Sequence, residues 1–157
     1  MMDDDNFEDF FDEDYDSEEL KREMEEENKR VDNLPILKKA YEIYETTNAI
    51  VGTINEEDDM LEMRHLMLEN AMIIPAKIRR AEAGSLYTLR MESAVIIKIH
   101  ARELLAQTSF CKHENLSSSD YLDLLRSEIE EFRVLFVEWV NCFDKSDDIP
   151  DNWGLFY

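Results

Sequence analysis

Apolar residues recur at spacings of three and four along most of the chain, and four such stretches each read as a helix. The first runs from about Pro35 to Ile54, with Ile36, Ala40, Ile43, Thr47, Ile50 and Ile54 on one stripe flanked by Leu37, Tyr44 and Val51. Proline suits a first helical turn, and Gly52 and Asn55 mark the end. Glu56 to Asp59 then predict the opening of a second helix, where negative charge complements a helix N-terminus. That helix carries Met60, Met63, Met67, Ala71, Ile74, Ile78 and Ala81, and Pro75 is expected to interrupt and kink it.

Gly84 predicts a left-handed C-cap and Ser85 an N-cap, so the third helix reverses direction at once and covers Leu86 to Phe110. Its stripe is Tyr87, Met91, Ala94, Ile97, Ala101 and Leu104. Val95, Ile96 and Ile99 widen the apolar arc, which predicts burial against more than one neighbour. After Ser117 to Asp120, a fourth helix places Leu122, Leu125, Ile129, Phe132, Phe136, Trp139 and Phe143 in strict alternation of three and four. Short connections favour antiparallel neighbours. The pattern therefore predicts an all-α fold, an antiparallel up-down-up-down four-helix bundle over residues 34–144. It is preceded by an acidic extension, residues 1–33, and followed by an aromatic segment, residues 145–157.

Composition sharpens this picture. With three Gly and three Pro in 157 residues, the chain lacks the turn punctuation of a many-stranded sheet or a phosphate-cradling loop. The net charge of -21 is concentrated at the start: residues 1–27 carry -13 and the remainder -8. Such acidity repels phosphate backbones and favours basic protein partners or self-association. Within the extension, Phe7, Phe10, Phe11 and Tyr15 fall on one face if helical, and with Trp153, Leu155 and Phe156 they form the candidate partner-binding residues. Acidic neighbours predict a partly disordered or marginally helical segment, in which Ser17 caps a helix edged by Leu20, Met24 and Val31. The beginning Met1-Met2-Asp3 has no basic or long apolar run. Two cysteines, Cys111 and Cys142, form no paired motif, so a cytoplasmic protein with reduced thiols and no membrane span is expected.

Asn70 to Ile78, followed by Ala81-Glu82-Ala83-Gly84, resembles the central signature of the small four-helix bundle family related to proteins encoded in ribosomal-RNA intervening sequences. Lys77 stands where that family has Asn, and Arg79-Arg80 lengthen the motif. Glu92, Ala94 and Glu103-Leu104-Leu105 resemble its third helix. The resemblance spans residues 36 to 143 and implies a bundle, frequent homo-oligomerisation and no established enzymatic role, with a ribosomal-RNA connection at family level only.

Reactive constellations are sparse. Glu62-x-x-His65 has the spacing of a di-iron ligand pair, but the fourth helix has no His to complete one, so a solvated pair is expected. His100 reads as a core-edge histidine with a satisfied hydrogen bond, and Cys111-Lys112-His113 as neighbours without an oriented base. No catalytic residue, cofactor or metal is assigned. A basic strip of Lys77, Arg79, Arg80 and Arg90, extended by Lys98 and Arg102, is the candidate RNA contact, against ordinary pairing with nearby carboxylates. The preferred function is a non-catalytic, self-associating protein-interaction module; the alternative is an RNA- or ribosome-associated bundle. The last segment, with Trp153, Leu155 and Phe156, is expected to fold back over the bundle's open end, with a free recognition tail as the other reading.

Overall fold

The computed structural model describes residues 13–156, with side chains from Ser17 onward. Phe7, Phe10, Phe11 and the Tyr15 side chain therefore lie outside the described residues. Five helices account for the fold: α1 (Glu13–Asp32), α2 (Pro35–Thr53), α3 (Met63–Glu82), α4 (Tyr87–His113) and α5 (Ser119–Asn141). No strand occurs among the described residues, so the protein is all-α. The chain divides between Asn33 and Leu34 into two units.

The first unit is built on α1. It begins at Glu13, four residues before the expected cap, so Ser17 lies inside the helix. Arg22 pairs with Glu19 and Arg30 with Glu27 along it. Asn33 closes the last turn by donating its side-chain amide to the Lys29 carbonyl at 2.8 Å.

In the second unit α2 packs against α3 and α5, and α4 packs against α3 and α5. All six residues of the α2 stripe are buried, with Leu37 and Val51 beside them. Thr47 is accommodated by donating to the Ile43 carbonyl at 2.7 Å, so its hydroxyl enters the core satisfied. The five fully or nearly buried α5 residues Leu122, Leu125, Ile129, Phe132 and Trp139 follow the predicted alternation, and Phe143 continues it beyond the helix end. Phe132, Phe136, Trp139 and Phe143 form an unbroken series of ring contacts, closing with an edge-on Trp139–Phe143 pair at 4.7 Å.

Helix boundaries depart from expectation where backbone capping decides. Residues 55–62 form consecutive turns, and α3 starts at Met63 after a left-handed Glu62. The acidic run does not open the helix. Instead Asp59 alone caps it, accepting the amides of Met63 at 2.7 Å and Arg64 at 2.9 Å. Met60, placed by its spacing on the core stripe, is 90% exposed because it sits in these turns. Pro75 does not interrupt α3, which continues seven residues past it to Glu82; proline forgoes only the one bond to the Ala71 carbonyl and its ring is buried.

The link from α3 to α4 also differs. Gly84 is not left-handed, and α3 ends through the Ala83 amide bonding the Arg79 and Arg80 carbonyls. At the far end of α4, Asn115 supplies the left-handed residue at φ 53°. Leu116 donates to the Cys111 carbonyl at 2.9 Å and Asn115 to Lys112 at 3.4 Å, a Schellman closure that extends the helix to His113.

Leu104 is completely buried and Met60 is not, so their truncations should separate sharply. Leu104→Ala is expected to cost roughly 2–5 kcal/mol in urea unfolding. Met60→Ser should stay within about 0.5 kcal/mol.

Candidate functional site

Three helix ends meet around one carboxylate. Glu82, in the last turn of α3, has a side chain only 6% exposed, and its Oε1 accepts from Arg90 of α4 at 2.6 Å and from the indole N–H of Trp139 of α5 at 2.7 Å. The Arg90 guanidinium also lies 4.0 Å over the ring of Phe143, while its Nε is buried without a hydrogen-bond partner. A charge pair taken out of water is tolerated only when both members are held by further contacts. Here the indole and the aromatic face supply them.

The same end receives the C-terminal segment. Asp148 accepts the Thr88 amide at 3.1 Å and the Thr88 hydroxyl at 2.8 Å, capping α4 from sixty residues away where Ser85 does not. Desolvation tends to raise the Asp148 carboxyl, but the bonds from Thr88 and the Ile149 amide outweigh it and hold the group below the usual range. Lys145 lies 4.7 Å over the ring of Tyr87. Of the three residues expected to fold over the bundle end, Trp153 and Leu155 are 82% and 70% exposed, and Phe156 is half-buried. Polar capping by Asp148 ties this segment to α4, and its backbone turns at Asn152 and Gly154, both left-handed.

Along the seam between α4 and α5, Lys112 pairs with Asp123 at 2.9 Å, and Arg126 donates to the Leu105 carbonyl and to the hydroxyls of Thr108 and Ser109, at 2.8–3.2 Å. Another stretch of the seam is a groove of about 320 Å³ with Ala101, Leu105, Ile129, Phe132, Phe136 and Val137 in its lining. Ala101 presents only a methyl group there. Lys98, Arg102, Arg133 and Glu130 complete the rim, and Arg133 pairs with Glu130 at 2.6 Å.

The predicted basic strip does not assemble. Arg90 is turned inward to Glu82, and Arg79 bonds the Tyr41 hydroxyl at 3.1 Å and stacks on its ring. Lys77 and Arg80 share one side of α3, while Lys98 and Arg102 belong to the α4–α5 groove. Side-chain pairing and helix azimuth, neither visible in a count of cations, divide the set.

The reactive candidates are likewise separated. Cys111 is buried 3.6 Å from the Met67 sulfur, and desolvation, reinforced by the Asp59 charge, pushes its thiol up to about 11. That is opposite to the shift that makes a nucleophile. His113 is exposed beside Glu114, and His65 is exposed beside Glu69. His100 bonds the buried Asn70 at 2.6 Å, and Asn70 donates to Gln107 at 3.0 Å, so one α3 amide clasps two turns of α4. No group of three His, Cys, Asp or Glu residues suited to a metal ion occurs among the described residues.

No protein-family model matches the chain, and no curated protein matches it. No helix among the described residues is long and apolar enough to cross a membrane.

Sequence reasoning missed the Glu82–Arg90–Trp139 junction. Its one signal was Trp139 on a buried stripe, since an enclosed indole N–H needs an acceptor. Glu82→Ala should leave Arg90 buried without its counter-charge and lower stability by on the order of 3 kcal/mol, measured by urea unfolding. Asp148→Ala should lower the thermal midpoint at neutral pH. Because the folded-state carboxyl is held low, its contribution is present above the unfolded value of about 4 and disappears as pH falls through the folded one. The gap between wild type and variant should therefore close in acid.

Proposed function

We propose that this chain is a non-catalytic, self-associating protein-interaction module. In this reading α2 to α5 form an antiparallel up-down-up-down four-helix bundle, supported by the two packing partners that each of these helices has. The likeness to the intervening-sequence family, where bundles frequently assemble as homo-oligomers, points the same way.

The observation that carries the reading is the apolar outer surface on α4 and α5. Val95 and Ile99, one turn apart on α4, are 42% and 47% exposed, and Val134 and Val137 on α5 are each 48% exposed. The broad arc expected to be buried on α4 is thus buried only in part. Scattered apolar side chains need no explanation, but exposed apolar pairs at helical spacing on each of two adjacent helices are more than scatter, and water disfavours them. A second copy, covering this surface with a part of its own chain, would take it out of water.

Basic proteins remain fitting partners for so acidic a chain. Support for the alternative, an RNA- or ribosome-associated protein, is thinner: it rests on Lys77 and Arg80, which have no ion-pair partner among the described residues. Binding to RNA that weakens steeply with salt would favour that alternative.

Sedimentation equilibrium of the full chain should show more than one copy in the particle at micromolar concentration. Ile99→Glu combined with Val137→Glu should keep the helical circular dichroism and weaken association about tenfold or more. A wild-type monomer at high micromolar concentration would defeat the reading.

A further inference from the structure

The α4–α5 groove reverses the charge of the molecule around it. Its lining sets three cations, Lys98, Arg102 and Arg133, against one carboxylate, Glu130, in a chain of net charge -21. Arg133 is already paired with Glu130. Lys98 and Arg102, one turn apart on α4, have neither a hydrogen-bond nor an ion-pair partner among the described residues. The groove is otherwise apolar, and its volume of about 320 Å³ suits about two aromatic rings, given that a cavity near 150 Å³ accepts one benzene. An apolar trough edged by unpaired cations selects an acidic segment bearing large aromatic side chains.

The chain carries such a segment. Residues 3–15 hold eight carboxylates, no cation, and the aromatics Phe7, Phe10, Phe11 and Tyr15, whose spacing puts them on one face in a helical conformation. We propose that the groove of one copy binds residues 3–15 of a second copy, with aromatic rings in the trough and the flanking carboxylates of Glu8 and Asp12 toward Lys98 and Arg102. The proposal rests on the self-association reading and names its contact. Reciprocal exchange gives a closed pair with two identical tail–groove contacts. The exposed C-terminal segment is the competing occupant, but its charge fits less well: Asp147 and Asp151 are the carboxylates left once Asp148 is engaged by Thr88.

The test uses the full chain and four variants: tail-defective Phe7→Ser/Phe10→Ser/Phe11→Ser/Tyr15→Ser, groove-defective Lys98→Glu/Arg102→Glu, C-terminal Trp153→Ser/Leu155→Ser, and the first two sets combined. Circular dichroism checks that each retains its helices. Sedimentation equilibrium should show the tail- and groove-defective chains each associating roughly a hundredfold more weakly than wild type. Mixing those two chains should restore pairing, because one copy supplies an intact tail and the other an intact groove; the combined variant should not be rescued by either. A fluorescent peptide of residues 1–16 should bind the tail-defective chain, lose affinity with added salt, and fail to bind the combined variant.

Unchanged association of the tail-defective chain, with no peptide binding, would overturn the proposal and leave self-association standing. Peptide binding by a chain that is monomeric as wild type would overturn the second copy as occupant. Loss of pairing in the Trp153→Ser/Leu155→Ser chain alone would assign the groove to the C-terminal segment and equally overturn it. Wild-type monomer without peptide binding would remove both this proposal and the reading beneath it.

Discussion

The Glu82 carboxylate is the constraint on which one end of the helical unit is organised. Three helices arrive there with a need that none satisfies alone: α4 brings a buried guanidinium, α5 a buried indole N–H, and α3 the single group that accepts from both. Apolar stripes permit helices to slide or rotate by a fraction of a turn with little loss, since hydrophobic burial is not directional. A shared acceptor at 2.6 and 2.7 Å does not permit it. The junction therefore fixes register where the aromatic series of α5 runs out, and Phe143 completes it by covering Arg90.

A related economy governs polar groups elsewhere. Lys39 bridges Glu42 and Glu131, so α2 is tied to α5 through one ammonium, and hydrogen bonds to those two carboxylates raise its affinity for the proton. Close by, burial raises the Glu128 carboxyl even though Thr46 donates to it at 2.9 Å. Asn70 serves two partners on α4. With 38 acidic residues and 17 basic ones, a cation engaged twice holds more of the structure than one engaged once, and a cation with no partner among the described residues leaves its charge to act at the surface. That contrast separates Arg90 and Lys39 from Lys98 and Arg102.

Helix identity was legible in the chain because its periodicity is strong: the α2 and α5 stripes are buried almost residue for residue. What could not be read were the events at helix ends. Asp59 and Asp148 both lie in acidic clusters that a sequence reader assigns collectively, yet one member of each is selected by chain geometry to bond particular amides. Gly84 resembled a left-handed cap, but the conformation fell instead to Asn115, which tolerates it through its short polar side chain. Cation count suggested one basic strip; helix azimuth sent Lys98 and Arg102 to a different seam. The groove was invisible for the same reason, since it arises where Ala101 of one helix faces Phe136 and Val137 of another. The reading of Cys111 as inert rested on a missing base, whereas the structure supplies the stronger reason of burial.

The placement of sulfur has a consequence for oxidative chemistry. Cys111 and Met67 are both fully enclosed and in contact, so neither an oxidant nor a second thiol reaches them while the helices hold. Cys142 is exposed at the end of α5, with its thiol toward the Glu138 carbonyl. Between its two thiols the folded chain thus offers a single point of covalent cross-linking: one disulfide joins two copies at most, and mixed disulfides form one per chain. Polymerisation through sulfur requires unfolding first, which makes the appearance of disulfide-linked species larger than a dimer a direct reporter of core opening.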